Sequence, residues 1–156
     1  MLRCKKLDKN AFLPSKANEK DAGYDLYSLE DYVIHYGEIV KVKTGIAIEM
    51  PPAPPGYNSV GLIFDRSSMG SKGIIRLAGV IDQEYRGEII ICLSYIKNTW
   101  LNYFKRLFGY RDCLKIKKGD RIAQLLIFDV RNYKVIEVNE LSNSVRGDKG
   151  FGSSGI

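Results

Sequence analysis

Residues 78–88 read A-G-V-I-D-Q-E-Y-R-G-E. A short apolar run, Val80 and Ile81, is broken by Asp82, with Tyr85 three residues later and Gly79 and Gly87 on either side. β-Branched residues suit strands, and glycines suit places where the backbone must turn or lie close to something, so the stretch reads as a tight β-hairpin. The plainest role for Asp82 is then a turn carboxylate that caps backbone amides; a chemical role needs support from elsewhere in the chain.

Outward from this stretch the chain continues as short strands. Val60 to Phe64, Ile89 to Leu93, Arg121 to Phe128 and Tyr133 to Val138 are strand candidates. Val40 to Ile48 alternates Val40, Val42, Ile46 and Ile48 against Lys41, Lys43 and Ala47, the period of one half-buried strand. Tyr32 to Tyr36 and Glu38 to Val42 flank Gly37 and read as a hairpin. The segment P-P-A-P-P-G, residues 51–56, cannot enter a ladder and reads as a stiff connecting loop. Short strands with turn signals about every ten residues predict an all-β fold, a jelly roll or barrel. One segment departs from this: Trp100, Phe104, Leu107 and Phe108 recur at helical spacing between Thr99 and a terminating Gly109, which predicts a short amphipathic helical insertion.

The 156 residues, 45% of them hydrophobic, form a single domain, 1–156, large enough for a substantial core. No apolar run approaches the roughly 18 residues of a membrane span, and the start of the chain has no apolar leader, so an intracellular protein is expected. Cys4, Cys92 and Cys113 are odd in number and lack paired spacing, which fits reduced thiols. With His35 as the only histidine, His-rich metal cages and zinc-deaminase chemistry are excluded. The whole surplus of +6 lies between Lys97 and Arg121, where eight Lys or Arg face two acids. Lys105, Arg106, Arg111, Lys115, Lys117 and Lys118, with Trp100 and Tyr103, could therefore hold a nucleic acid or protein through Trp100 to Lys118. The alternative is that the apolar face of the helix covers its own barrel or a neighbouring subunit.

Four further stretches carry chemistry. D-A-G-Y-D-L-Y-S (21–28) turns into a strand, and D-R-S-S-M-G-S-K-G (65–73) reads as a loop offering amides, hydroxyls and a guanidinium to phosphate oxygens. K-G-D-R-I-A-Q-L (118–125) puts an amide side chain within an apolar strand, where it needs a partner. R-G-D-K-G-F-G-S-S-G (146–155) sets one Arg and one Phe among glycines, as in a mobile flap, and 142–156 is read as a C-terminal arm.

Taken in order, D-A-G-Y-D-L, R-S-S-M-G, G-V-I-D-Q-E-Y-R-G-E, G-D-R-I-A-Q-L and R-G-D-K-G-F-G-S-S-G closely resemble the motifs of the trimeric dUTPases, from about Asp21 to the end of the chain. The resemblance implies a distorted jelly-roll subunit and a homotrimer with active sites at the subunit interfaces. It also implies hydrolysis of dUTP to dUMP and pyrophosphate, with Asp82 as general base. Magnesium would be bound through the substrate phosphates and water, with no protein cage. By the same analogy Arg66, Ser67, Ser68, Gly70, Gln124, Arg146, Gly152 and Ser153 match phosphate-contacting positions, and Tyr85 packs under the deoxyribose. Gly79 and Ile81 mark the backbone that reads uracil, Phe151 covers the base, and Asp25 supports the site. Ser68, Ser154 and Glu84 stand where the family commonly has Gly, Thr and Asp, and residues 95–115 exceed its usual short connection. The related dCTP deaminases place a glutamate shortly after this hairpin. Cys92 stands there instead, and a thiol cannot replace that carboxylate.

Overall fold

A computed structural model of the chain describes residues 1–96, 108–109, 112–145 and 147. The strands are β1 (Arg3–Lys6), β2 (Tyr24–Tyr27), β3 (Tyr32–His35), β4 (Ile39–Lys43), β5 (Ile46–Glu49), β6 (Tyr57–Phe64), β7 (Ile74–Leu77), β8 (Val80–Ile81), β9 (Ile90–Tyr95), β10 (Cys113–Ile116) and β11 (Arg121–Arg131). A single turn of helix, α1 (Ser67–Gly70), follows β6. The strands form antiparallel sheets in the orders β2-β11-β6-β8, β4-β9-β7, β1-β5 and β10-β3. This is the predicted all-β, distorted jelly-roll architecture.

The core draws on all these sheets. Leu26, Ile34, Val42, Ile46, Ile63, Ile74, Ile91, Leu93, Ile116, Ile122 and Leu125 are buried together. Each such side chain contributes about 1.5–3 kcal/mol by leaving water. The β6–β11 pair runs unbroken from Gln124 opposite Phe64 to Arg131 opposite Tyr57, and it forms the spine on which the site residues hang.

Several local expectations change. Val40 to Ile48 is not one strand, because it breaks at Thr44–Gly45. Gly45 has φ +68°, and a Cβ there would sit 2.9 Å from that of Ala11. Beyond the break Ile46, Ala47 and Ile48 are all buried, so alternation ends with the strand. A turn does form around Gly37, with the Glu38 amide donating to the His35 carbonyl at 2.9 Å. The flanking strands then part: β3 pairs with β10 and β4 with β9. Residues 78–88 are likewise not a hairpin. β7 pairs with β9 while β8 pairs with β6, so Ala78 (φ +64°) and Gly79 (φ +149°) carry the chain from one sheet to another. Residues 65–73 contain α1, with Met69 buried. Tyr133 to Val138 forms no strand, and Tyr133, Val135 and Ile136 are exposed. Residues 51–56 are an irregular loop, as read. Of the predicted helix at 99–108, residues 99–107 lie outside the described residues.

Candidate active site

The site is built where β2, β11 and β6 run side by side. Gln124 on β11 lies opposite Asp25 on β2 and opposite Phe64 on β6. The chain leaves β6 through Asp65 and Arg66, which brings the Arg66 guanidinium back over this row. Arg66 Nε donates to Asp25 Oδ1 at 2.7 Å. Arg121 Nη1 donates to the other oxygen, Oδ2, at 3.3 Å. The Asp25 side chain is only 13% exposed, so its carboxylate is spent on two cations and is not free to act as a base. Arg66 is held further by its weak contacts with Ser68 Oγ at 3.5 Å and the Arg121 carbonyl at 3.4 Å.

Gln124 Nε2 donates to the Asp65 carbonyl at 2.9 Å. Its Oε1 lies against Gly23, where an added Cβ would approach to 2.8 Å, so only glycine leaves room for this orientation. These groups, with Ser67 and Ser68, line an open cavity of about 530 Å³. Two guanidiniums, two hydroxyls and an amide share this cavity with the carboxylates of Asp21 and Asp25, and such donors are of the kind that suit phosphate oxygens.

Arg121 is a site residue that the sequence reading missed. Three residues from Gln124, it would fall on the opposite face of a regular strand. A register shift between Arg121 and Ala123 adds a residue, and both side chains then reach one cavity. Gly70 closes α1, its amide donating to the Arg66 carbonyl at 3.0 Å, and it does not line that cavity.

The remaining residues lie elsewhere on the chain. Gly79 and Ile81 line a separate cavity of about 110 Å³ beside Ile63, Arg76 and Cys92. The volume equals that of three or four waters in the liquid, enough for one small ring. The Gly79 carbonyl accepts the Ile63 amide at 2.8 Å, and a Cβ at Gly79 would strike the Arg76 guanidinium. Asp82 is exposed and lines a third cavity, with Asn58, Ser59, Gln83 and Glu84. The Ser59 amide donates to Gln83 Oε1 at 2.7 Å and pins this end of the loop. Tyr85 donates its hydroxyl to the Glu88 carbonyl at 2.9 Å.

Asp82 therefore stands level with the middle of β6, and the guanidinium cavity lies beyond its Phe64 end. Asp82 follows Ile81, which pairs with Gly61, whereas Arg66 follows Phe64. Val60 to Phe64 alone spans about 13 Å of strand. Within one chain the carboxylate and the phosphate-type cavity do not meet. Arg146, Phe151, Gly152 and Ser153 lie outside the described residues.

Fold and site together define an all-β protein whose open cavity gathers Arg66, Arg121, Ser67, Ser68 and Gln124 beside Asp25. The dUTPase family model matches residues 9–106 and 107–155, and the chain belongs to that family. Among its relatives is the deoxyuridine 5'-triphosphate nucleotidohydrolase of Clostridium acetobutylicum, 40% identical, with 99% of this chain and 97% of the relative covered. That of Corynebacterium glutamicum is 39% identical over 96% of this chain and 91% of the relative. The dUTPase of Staphylococcus bacteriophage 80alpha, solved with dUpNHpp, superposes with a TM-score of 0.80 at 32% identity, covering 100% of this chain and 99% of that one. The dUTPase of phage phi11 of S. aureus, solved to visualise a species-specific insert, gives 0.75 at 28% identity, covering 92% and 99%.

Proposed function

We propose that this protein hydrolyses dUTP to dUMP and pyrophosphate, keeping uracil out of DNA and supplying dUMP for dTMP synthesis. The observation that carries the reading is the cavity in which Asp25 holds Arg66 and Arg121 beside Ser67, Ser68 and Gln124. Family membership supplies the nucleotide.

In this reading Asp82 accepts a proton from water as its oxygen attacks the α-phosphorus. The bond to the bridging oxygen breaks, and pyrophosphate leaves with the electron pair. A carboxylate can work beside a triphosphate only where cations balance the charge, the task assigned to Arg66, Arg121 and Arg146. The Tyr85 ring packs under the deoxyribose and excludes a 2′-hydroxyl. The backbone at Gly79 and Ile81 reads uracil, Phe151 covers the base, and Gly152 and Ser153 complete the phosphate contacts. Because Asp82 stands about 13 Å of strand away from the cavity, a complete site needs Asp82 from another copy, which supports sites shared between subunits; the number of subunits, three, is taken from the family resemblance. The exposed Tyr133, Val135 and Ile136 give such copies an apolar segment to cover.

Magnesium fits this site as a companion of the substrate. Asp25 is committed to two guanidiniums, and no group of three His, Cys, Asp or Glu suited to a metal occurs among the described residues. Phosphate oxygens and water would hold the ion, and when bound it would offset charge on the triphosphate. We place the activity inside the cell, as family membership suggests.

The test is pyrophosphate release from dUTP, dCTP, dTTP and UTP with magnesium, for the native chain and Asp82→Asn. The expected result is cleavage of dUTP alone, slowed about 10²–10⁴-fold by Asp82→Asn. A folded native chain that cleaves none of them refutes the proposal. Ammonia release from dCTP at a matching rate would establish deamination instead; Cys92 lines the small cavity, and among the described residues no acid does.

A further inference from the structure

The break at Thr44–Gly45 has a use beyond ending a strand. It exposes a backbone amide and a hydroxyl toward the end of the loop that carries Asp82 and Tyr85. The Gly45 amide donates to Glu88 Oε1 at 2.9 Å. Thr44 Oγ1, on a side chain that is wholly buried, donates to the Ile89 carbonyl at 2.5 Å. The Ile89 amide donates to the Ile46 carbonyl at 2.9 Å. Two successive residues, Glu88 and Ile89, are thereby docked onto the bend between β4 and β5. Gly45 adopts φ +68° to present its amide this way, and its own carbonyl is held by Leu7 at 2.8 Å.

Glu88 also sets the aromatic ring. Its carbonyl is the acceptor of the Tyr85 hydroxyl. The phenol end of the Tyr85 ring packs against Gly87, where a Cβ would come within 2.5 Å of the phenolic oxygen. The Tyr85 amide closes the same turn onto the Asp82 carbonyl at 3.0 Å. A carboxylate that fixes the position of a carbonyl, which in turn fixes a phenol, is a chain of contacts from the β4–β5 bend to the sugar-facing ring.

We propose that Glu88 is a positioning residue for sugar discrimination: by anchoring its backbone to Gly45 it orients Tyr85, and the preference for a deoxyribonucleotide over a ribonucleotide depends on that anchor. The inference rests on the dUTP reading given above.

The experiment compares kcat/KM for dUTP and for UTP in the native chain, Glu88→Gln, Glu88→Ala and a core control, Ile122→Val. Binding of dUMP and of UMP is measured by calorimetry on the same proteins. Glu88→Gln keeps an acceptor oxygen, so the dUTP-to-UTP ratio stays near native. Glu88→Ala lowers that ratio about tenfold, the scale set by losing one oriented hydrogen bond to a charged group. Ile122→Val lowers the melting temperature and leaves the ratio alone. If Glu88→Ala lowers stability but keeps the ratio, Glu88 is merely structural and the inference is overturned while the dUTP reading stands. If the native chain does not cleave dUTP, the earlier reading fails. The dUMP-to-UMP binding ratio then decides this inference separately, and the absence of any deoxyribose preference in the native chain overturns it too.

Discussion

Replacing Asp25 with alanine removes the carboxylate that bridges Arg66 and Arg121. Arg66 Nε lies 2.7 Å from its carboxylate, and the two side chains are 23% and 13% exposed, so this is a largely desolvated, charge-assisted bond. Removing one partner of a buried pair costs about 3–5 kcal/mol, chiefly because the other charge is left unpaired. The cost here falls at or just below the lower end of that range, about 2–3 kcal/mol, because an open cavity lets water reach the freed guanidinium. The second pair adds little, at 3.3 Å to an Arg121 side chain that is 47% exposed, since exposed pairs contribute about 0–1 kcal/mol. A loss of about 2–4 kcal/mol is therefore expected, read as a lower midpoint in denaturant at constant slope. The functional consequence is sharper. Without Asp25 the two guanidiniums repel, Arg66 leaves the position from which it faces a phosphate, and a displacement of about 1 Å can cost 10²-fold in rate. Pyrophosphate release should show KM rising and kcat falling together. Asp25→Asn retains one acceptor oxygen and should fall between native and alanine on both measures. An alanine variant with native stability and native kcat/KM would refute the argument that Asp25 works by holding Arg66.

Gly23→Ala puts a methyl group 2.8 Å from Gln124 Oε1 and 3.1 Å from Leu126 Cδ1. Forcing the amide aside should cost about 1–3 kcal/mol and raise KM for dUTP; unchanged kinetics would show that the Gln124 orientation is immaterial. The described residues that flank 97–111 are tied together. Tyr95 Oη donates to Asp112 Oδ2 at 3.0 Å, and the amides of Tyr36 and Gly37 donate to the carbonyls of Asp112 and Tyr95. Deleting residues 98–111 should therefore spare pyrophosphate release while lowering stability or weakening trimers, as followed by thermal melting and light scattering. Loss of binding to DNA or a protein with stability intact would make the insertion a partner surface. Burial, and then the bond to Asp112 and that carboxylate's charge, raise the Tyr95 phenol above its ordinary value. The folded chain thus holds this proton more tightly than the unfolded one. Its contribution is complete below the ordinary phenol value of about 10 and is lost as pH climbs above it. Tyr95→Phe should flatten that part of the stability profile, and urea unfolding at alkaline pH checks it.

The parts of this molecule that could be read from sequence are those whose partners are fixed by local chemistry. The strands β6, β9 and β11 were expected within a few residues of their bounds, because apolar runs between turns leave few other choices. Asp25, Arg66, Ser67, Ser68 and Gln124, widely spaced in the chain, do meet in one cavity. What failed depended on which strand pairs with which. Gly37 makes its turn, yet β3 and β4 go to different sheets, pairing with β10 and β9, partners far away in the sequence that local patterning does not reveal. Arg121 was hidden by a bulge, which changes strand parity without a mark in the sequence. The Thr44–Gly45 break was read through as one strand, because the residues on either side keep a period of two. Yet Gly45 has to be left-handed, and Thr44 is a polar group buried in the core. A buried hydroxyl beside a glycine in an apolar strand needs an acceptor. Here that acceptor is the carbonyl of Ile89, at the end of the loop bearing Asp82 and Tyr85. The point where periodicity misled is thus the point where the scaffold takes hold of the proposed catalytic loop.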